Sequence, residues 1–243
     1  MATFSVYWFD ERIEHWRVEL SRFKNRKLLR FLEIGCFEGR ATLWLLRNIL
    51  TDPSSTIEVI DTFEGSIEHG DEFFSRVVKN MRQVFLENIS EFQDRVVVRE
   101  GMSQDVLKTM QDRVATFDFI YIDGSHESDD VYRDAILCWP LLKESGILAF
   151  DDYKWTWKDE KTGTVHSPKA GIDHFLAEHD SQFALIHKRW QLHIVKRPTG
   201  VFERWLRALR WNWFFSKFPL RRSQIRRRLA EIGIRMKEPT IQY

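Results

Sequence analysis

Cysteine is scarce, with only Cys36 and Cys138 among 243 residues. Two distant thiols make neither a disulfide framework nor a thiolate metal motif. Cys36, in a loop, could be reactive but is expected to serve as a small packing residue. Long apolar runs are equally absent, since none approaches the ~18 residues that a membrane-crossing helix needs. The opening MATFSVYWFDERIEH lacks the basic start and apolar centre of a secretory leader, so a cytosolic location is the expectation. Internal repeats and low-complexity segments are missing too. Charge of one sign is lacking overall, with 37 Lys and Arg against 36 Asp and Glu. That balance conceals an asymmetry: residues 196–243 hold 13 Lys and Arg against 3 Glu, so an acidic body precedes a basic tail.

What is there alternates between strand and helix. Ile13, Trp16, Leu20 and Phe23 fall at helical spacing and predict a leading amphipathic helix over 10–26. KLLRFLEIG (27–35) reads as a first buried strand, followed by a helix over 40–50. TIEVIDTF (56–63), RVVVREG (95–101), DFIYID (118–123) and GILAFDD (146–152) predict further strands, each separated from the last by a helical stretch, the one after RVVVREG over 103–114. Residues 154–167 lack periodicity and are expected to form a loop long enough to act as a lid. A helix with Pro168 at its start and a closing strand pair over 183–196 complete the pattern. Such alternation favours an α/β doubly wound sheet.

Glycine is missing where a dinucleotide loop needs it. EIGCFEGRAT follows the first strand and opens a helix, the usual nucleotide position of this fold. The fingerprint G-x-G-x-x-G demands a second glycine so that backbone can approach a pyrophosphate. Phe37 fills that place and Arg40 the third, leaving Gly35 and Gly39 spaced as G-x-x-x-G. A bulky residue there suits a ligand without phosphates. Asp61 ends the second strand, where an acid accepts ribose hydroxyls. Adenosine without phosphate points to S-adenosylmethionine, while a turn that needs glycine for geometry alone is the plainer alternative.

Three acids end two consecutive strands: Asp123 on the first, Asp151 and Asp152 on the second, with His126 three residues past Asp123. Parallel strands deliver their carboxyl ends to one edge, so these acids converge. Repulsion then calls for a cation or a proton. Carboxylates without cysteine or paired histidines select a hard cation, Mg²⁺ first. His126, with an unperturbed pKa near ~6.5, is the candidate base, and His166 the reserve. Loop capping, a pairing with Lys154 and helix capping by Asp123 remain the structural alternatives. Asp129 and Asp130 read as a solvated helix start. Trp155 and Trp157 suit either stacking on a sugar or pinning the loop.

EIGCFEGRAT, DTFEGS, GMSQD, IDGSH and FDDY, in that order, resemble the class I S-adenosylmethionine-dependent methyltransferases. The resemblance is to the metal-dependent O-methyltransferase branch that includes macrocin O-methyltransferase and the cephalosporin-hydroxylase-like proteins. It spans about residues 28–196. It implies a Rossmann-like sheet of seven strands in the order 3-2-1-4-5-7-6, the last strand antiparallel, with helices on both faces. It further implies cofactor contacts from Glu33, Gly35, Gly39 and Asp61, and adenine contacts from Ser103 and Gln104. Asp123, Asp151 and Asp152 would be metal ligands and His126 the general base. Ser128 stands where many members have an aromatic residue, which changes the acceptor pocket rather than the metal site.

The expected organisation is therefore an N-terminal helical cover (1–27), the S-adenosylmethionine-dependent methyltransferase domain (28–199) and a basic aromatic extension (200–243). The implied substrate is a hydroxylated small molecule or glycan, with sugar the first guess. A metal-independent methyltransferase of the same fold, or a membrane-associated binding protein with a degenerate cofactor domain, are the rivals. In the extension, Phe202, Trp205, Leu206, Leu209 and Trp213 form one helical stripe beside Arg204, Arg207 and Arg210. Docking on the catalytic domain or on another subunit fits that stripe, as does a membrane surface. Nucleic acid is the weakest fit, because no recognition motif accompanies the charge.

Overall fold

Apolar runs rich in Ile, Leu, Val and Phe form the middle of one seven-stranded sheet. In the computed structural model, residues 2–65, 72–160 and 162–198 are described; the aromatic stripe of the extension lies outside them. Strands β1 (Arg30–Ile34), β2 (Thr56–Asp61), β3 (Val96–Glu100), β4 (Phe117–Ile122) and β5 (Leu142–Phe150) run parallel. All six side chains of β4 are buried, the continuous apolar pattern of a strand covered on both faces. After a hairpin, β6 (Trp157–Lys158) and β7 (Val165–His166), the chain closes with β8 (Phe183–Lys188) and β9 (Leu192–Lys196). The sheet order is β3-β2-β1-β4-β5-β9-β8, and β9 is antiparallel to both neighbours. This is the strand order and the reversed seventh strand that the family resemblance implies.

Helices cover both faces. Helices α1 (Ile13–Glu19), α2 (Arg40–Asn48) and α3 (Glu72–Asn88) lie on one side, where Trp16, Phe31, Leu45, Phe85 and Phe119 share one core. On the other side α4 (Ser103–Lys108), α5 (Ser128–Cys138) and α6 (Lys169–Glu178) enclose Leu107, Ile120, Phe150 and Phe175. Cys36 and Cys138 are both buried, as packing residues would be.

Three local expectations are revised. The leading helix is broken into a 3₁₀ turn over Trp8–Arg12, α1, and a second 3₁₀ turn over Ser21–Phe23. Its apolar spacing survives the breaks, since Trp16, Leu20 and Phe23 are all buried. Helix α4 ends at Lys108 rather than near 114; Ala115 at φ 51° then turns the chain into β4. The aperiodic loop after Asp152 is a small hairpin, pairing Trp157 with His166 and Lys158 with Val165 around Gly163 at φ +74°. A two-pair ladder is too short to show period-2 alternation, which is why the sequence reads as loop. Among the described residues no helix is long and apolar enough to cross a membrane.

Candidate active site

The glycine loop is tied to the sheet edge by backbone. Gly35 N–H donates to Ile60 O at 2.9 Å, and Asp123 N–H donates to Ile34 O at 2.7 Å. Gly35 has φ +78°, and a Cβ there would lie 2.0 Å from the carbonyl oxygen of Asp123. No side chain fits in that gap, so glycine is obligatory for two reasons at once. Gly39, at φ +81°, caps α2, and a Cβ would meet the Phe85 ring at 2.9 Å.

Asp61 organises the loop from the end of β2. Its Oδ2 accepts Cys36 N–H at 2.7 Å and Phe37 N–H at 3.0 Å, while Oδ1 accepts Phe63 N–H at 2.7 Å. Among the described residues this leaves acceptor capacity on Oδ1. Glu33 lies deeper, on β1, accepting Thr42 Oγ1–H at 2.6 Å. Burial pushes its carboxyl up to about 8, so at neutral pH it is largely protonated. Burial, reinforced by Asp61 and Glu33, also raises the Cys36 thiol well above its usual range.

Asp123 and the Asp151–Asp152 pair follow β4 and β5, which are neighbours in the sheet. Ligand atoms of Asp123, His126 and Asp152 all lie within 4.8 Å of one another. His126 Nε2 is 2.9 Å from Asp152 Oδ2, and the Trp155 ring lies 4.4 Å from the imidazole, centroid to centroid. Asp152 holds the left-handed conformation, φ 51°, unusual for a residue with a side chain. Asp151 faces elsewhere. Its Oδ2 accepts the Tyr121 hydroxyl in a short contact and Gln191 Nε2–H at 3.0 Å, and its Oδ1 lies 3.7 Å from Arg12 Nε. The Tyr121 hydroxyl is also 2.8 Å from Asp123 Oδ2.

Burial raises the Asp123 carboxyl well above the carboxylate range, and Asp151 and Asp152 raise it further against the opposing pull of His126 and Tyr121. The Asp151 carboxyl is raised by burial and then by Asp152, with Tyr121, Arg12 and Gln191 opposing. Tyr121 is itself pushed well up, by burial and then by the two acids it touches. Buried carboxyl groups that repel one another are what a hard divalent cation would relieve, and Asp123 and Asp152 offer it oxygen ligands.

Residues 32–153 match a family described as a methyltransferase domain, half of the chain. The chain belongs to that family. Its fold is also that of several solved structures. An O-methyltransferase of Bacillus cereus in complex with SAH is 17 % identical, with a TM-score of 0.51 over 79 % of this chain and 83 % of that one. TomG of Streptomyces achromogenes, an O-methyltransferase of tomaymycin synthesis in complex with SAM, is 16 % identical, with a TM-score of 0.54 over 76 % and 80 %. A TDP-rhamnose 3′-O-methyltransferase of calicheamicin biosynthesis is 17 % identical, with a TM-score of 0.50 over 78 % and 81 %. No curated protein sequence matches the chain.

In this methyltransferase the remaining residues singled out from the sequence lie on α4 and the hairpin. Ser103 Oγ–H reaches the Asp134 carboxylate, 2.7 and 2.9 Å from its two oxygens, and Gln104 Nε2–H donates to Asp130 Oδ1 at 3.0 Å. Asp130 also accepts Ser125 Oγ–H at 3.0 Å, so it ties α4 to the loop holding His126 rather than standing as a solvated helix start. His166 Nδ1 meets Glu127 Oε1 in a short contact, and its ring lies 5.0 Å from Trp157.

Three residues of the candidate site escape a sequence reading: Tyr121, Gln191 and Arg12. Tyr121 had a signal, since it stands two residues before Asp123 and strand side chains two apart share a face. Gln191 and Arg12 had none, because each reaches the acids from a remote segment. Gln191 is wholly buried, and its Oε1 accepts Trp16 Nε1–H at 2.6 Å while lying 2.8 Å from His15 Nε2 and 3.1 Å from His193 Nε2. Beyond it, Glu19 is 2.5 Å from His193 Nδ1 and 2.9 Å from His187 Nδ1.

Proposed function

We propose that this methyltransferase moves the methyl group of S-adenosylmethionine to a hydroxyl of a small molecule or glycan, a sugar first, with help from a divalent cation. The observation that carries the reading is the meeting of Asp123, His126 and Asp152 at two neighbouring strand ends, one backbone contact from the glycine loop. TomG and the TDP-rhamnose 3′-O-methyltransferase, two of the chain's fold relatives, support an oxygen acceptor and, for the second, a sugar. The family motifs support the macrocin O-methyltransferase branch.

Glu33, Gly35, Gly39 and Asp61 would hold the methionine and ribose parts of the cofactor, and Ser103 and Gln104 its adenine. Asp123 and Asp152 would hold Mg²⁺ or another hard cation, with Asp151 as the third acid, fixed through Tyr121 and Gln191. When bound, the sulfonium supplies an electrophilic methyl and the cation makes a hydroxyl more acidic. The chain's own part is orientation and proton removal. His126 presents Nε2 beside Asp152 and would accept the hydroxyl proton there, while the Trp155 ring keeps the imidazole from turning. The hairpin bearing Trp157 and His166 would exclude water, and alignment of oxygen, methyl and sulfur would supply most of the rate. Self-association or peripheral membrane contact belongs in this reading to the extension over 200–243.

Transfer of labelled methyl from S-adenosylmethionine to a panel of sugars, phenols and lipids, with Mg²⁺ and with EDTA, tests the proposal. Label on a hydroxyl only when Mg²⁺ is present is the expected result. Transfer to nitrogen, or transfer undiminished by EDTA, would overturn the oxygen or the cation half respectively.

A further inference from the structure

The amide of Gln191 can point only one way. Its Nε2 donates to the Asp151 carboxylate at 3.0 Å and lies 3.3 Å from the Tyr121 hydroxyl, while its Oε1 takes the Trp16 indole N–H at 2.6 Å. A flipped amide would set NH₂ against the indole donor and C=O against a carboxylate, two repulsive contacts in a wholly buried place. Both ends of the side chain are therefore committed. One end belongs to the acids: Asp151 shares the Tyr121 hydroxyl with Asp123. The other belongs to the N-terminal segment, through Trp16 and through His15 at 2.8 Å. Arg12, which ends the first 3₁₀ turn, approaches the same Asp151 at 3.7 Å.

We propose that Gln191 is a positioning residue that couples the seating of the N-terminal segment, residues 8–23, to the orientation of the acid cluster. Its amide spans 3.0 Å to the Asp151 carboxyl group, and its Oε1 2.6 Å to the Trp16 indole nitrogen. Whatever moves Asp151 or changes the atom it offers loosens Gln191, and Gln191 in turn carries Trp16 and α1. Coupling between two sites is reciprocal, so displacing α1 also frees Asp151, and through Tyr121 the orientation of Asp123. The groups supporting metal ligands set ligand geometry in this way in general. Only the cation arm of the test below rests on the proposed function.

Amide hydrogen exchange over residues 13–23 reads the coupling. In metal-free full-length protein, Asp151→Asn keeps shape but replaces one acceptor oxygen with an NH₂ donor, and it should speed exchange there by about fivefold to tenfold. Asp152→Asn, the same replacement without contact to Gln191, should change it by less than about twofold. Gln191→Met preserves length and removes both polar ends; in that background Asp151→Asn should add nothing. Gln191→Glu, which keeps the acceptor for Trp16 but sets two carboxylates face to face, should speed exchange as well. Adding Asp151→Asn to Gln191→Glu restores an amide–carboxylate bond with the roles exchanged and should return exchange toward the wild-type rate. Equal responses to the two Asp→Asn changes, or no rescue when Asp151→Asn is combined with Gln191→Glu, would overturn the proposal. In the cation arm, Mn²⁺ should alter exchange over 13–23 in wild type but not in Gln191→Met, although that variant still takes up the ion. Wild-type protein that takes up no Mn²⁺ would overturn the cation reading alone, because the Asp151→Asn arms are run without metal.

Discussion

Two clusters of buried charge lie on either side of Gln191, and they meet the same difficulty in opposite ways. Glu19 is buried beneath the N-terminal segment, where burial alone would raise its carboxyl. The facing His193 and His187 more than offset that and hold it at about 2. His15, stacked on His187 at 4.2 Å between centroids, is lowered to about 4, chiefly by burial. This cluster pairs its acid with its own bases. At the other end Asp123 and Asp151 face mainly each other, Asp152 and a tyrosine, and both carboxyls are raised. Charge balanced within the chain holds a fold together, whereas charge left in excess at a sheet edge is suited to an incoming ligand.

Removing the cation should have the largest effect on that contrast. EDTA is expected to abolish turnover and Mg²⁺ to restore it. Asp152→Ala should likewise reduce turnover to background while S-adenosylhomocysteine affinity, read by calorimetry, stays within about threefold of wild type. Full turnover in EDTA would make the acid cluster another self-contained structural one. Next comes His126→Ala, expected to lower kcat by ~10²–10⁴-fold with cofactor affinity nearly intact. A rate close to wild type would move the proton transfer to His166 or bulk water.

The balanced cluster should respond in stability instead of rate. Glu19→Gln is expected to cost about 3 kcal/mol at pH 7 in chemical denaturation, the free energy equivalent of its depressed carboxyl. A depressed acid contributes fully above its unfolded value of 4.5 and loses its contribution as pH falls toward about 2. The gap between wild type and Glu19→Gln should therefore close over that interval; a gap independent of pH would mean the carboxylate's charge is irrelevant. The smallest effect concerns the loop that faces neither cluster. Asp61→Ala should weaken S-adenosylhomocysteine binding by ~1–3 kcal/mol, the cost of an unpaired polar group at the ribose together with a loosened loop. Unchanged binding would assign Asp61 to the loop alone.

The sheet was legible because its signals are local. Continuous apolar runs such as FDFIYI and GILAF can only be strands buried on both faces, and Gly35 and Gly39 mark a strand-to-helix turn. The three acids were legible for the same reason, each standing just past a strand whose direction follows from the alternation. What the sequence did not disclose is which way the acids turn. Asp151 and Asp152 are adjacent in sequence, yet one faces Tyr121 and Gln191 and the other His126, because Asp152 takes a left-handed backbone. That choice depends on Gln191, 40 positions from Asp151, and on Arg12 at the far end of the chain. Trp16 reads as one more apolar member of a helical stripe, and only its indole N–H reveals that the stripe touches the site.

The missing side chain at Gly35 has a consequence for how this protein can change over generations. The loop expected to carry the methyl donor and the strand end expected to carry the cation meet backbone to backbone, with no room for even one methyl group between them. Their spacing is therefore not adjustable by exchanging side chains; it is inherited as one part. A descendant that takes a new acceptor has to acquire it through the pieces hung around that part, the N-terminal segment and the Trp157–His166 hairpin, while the distance from donor to acceptor stays as it is.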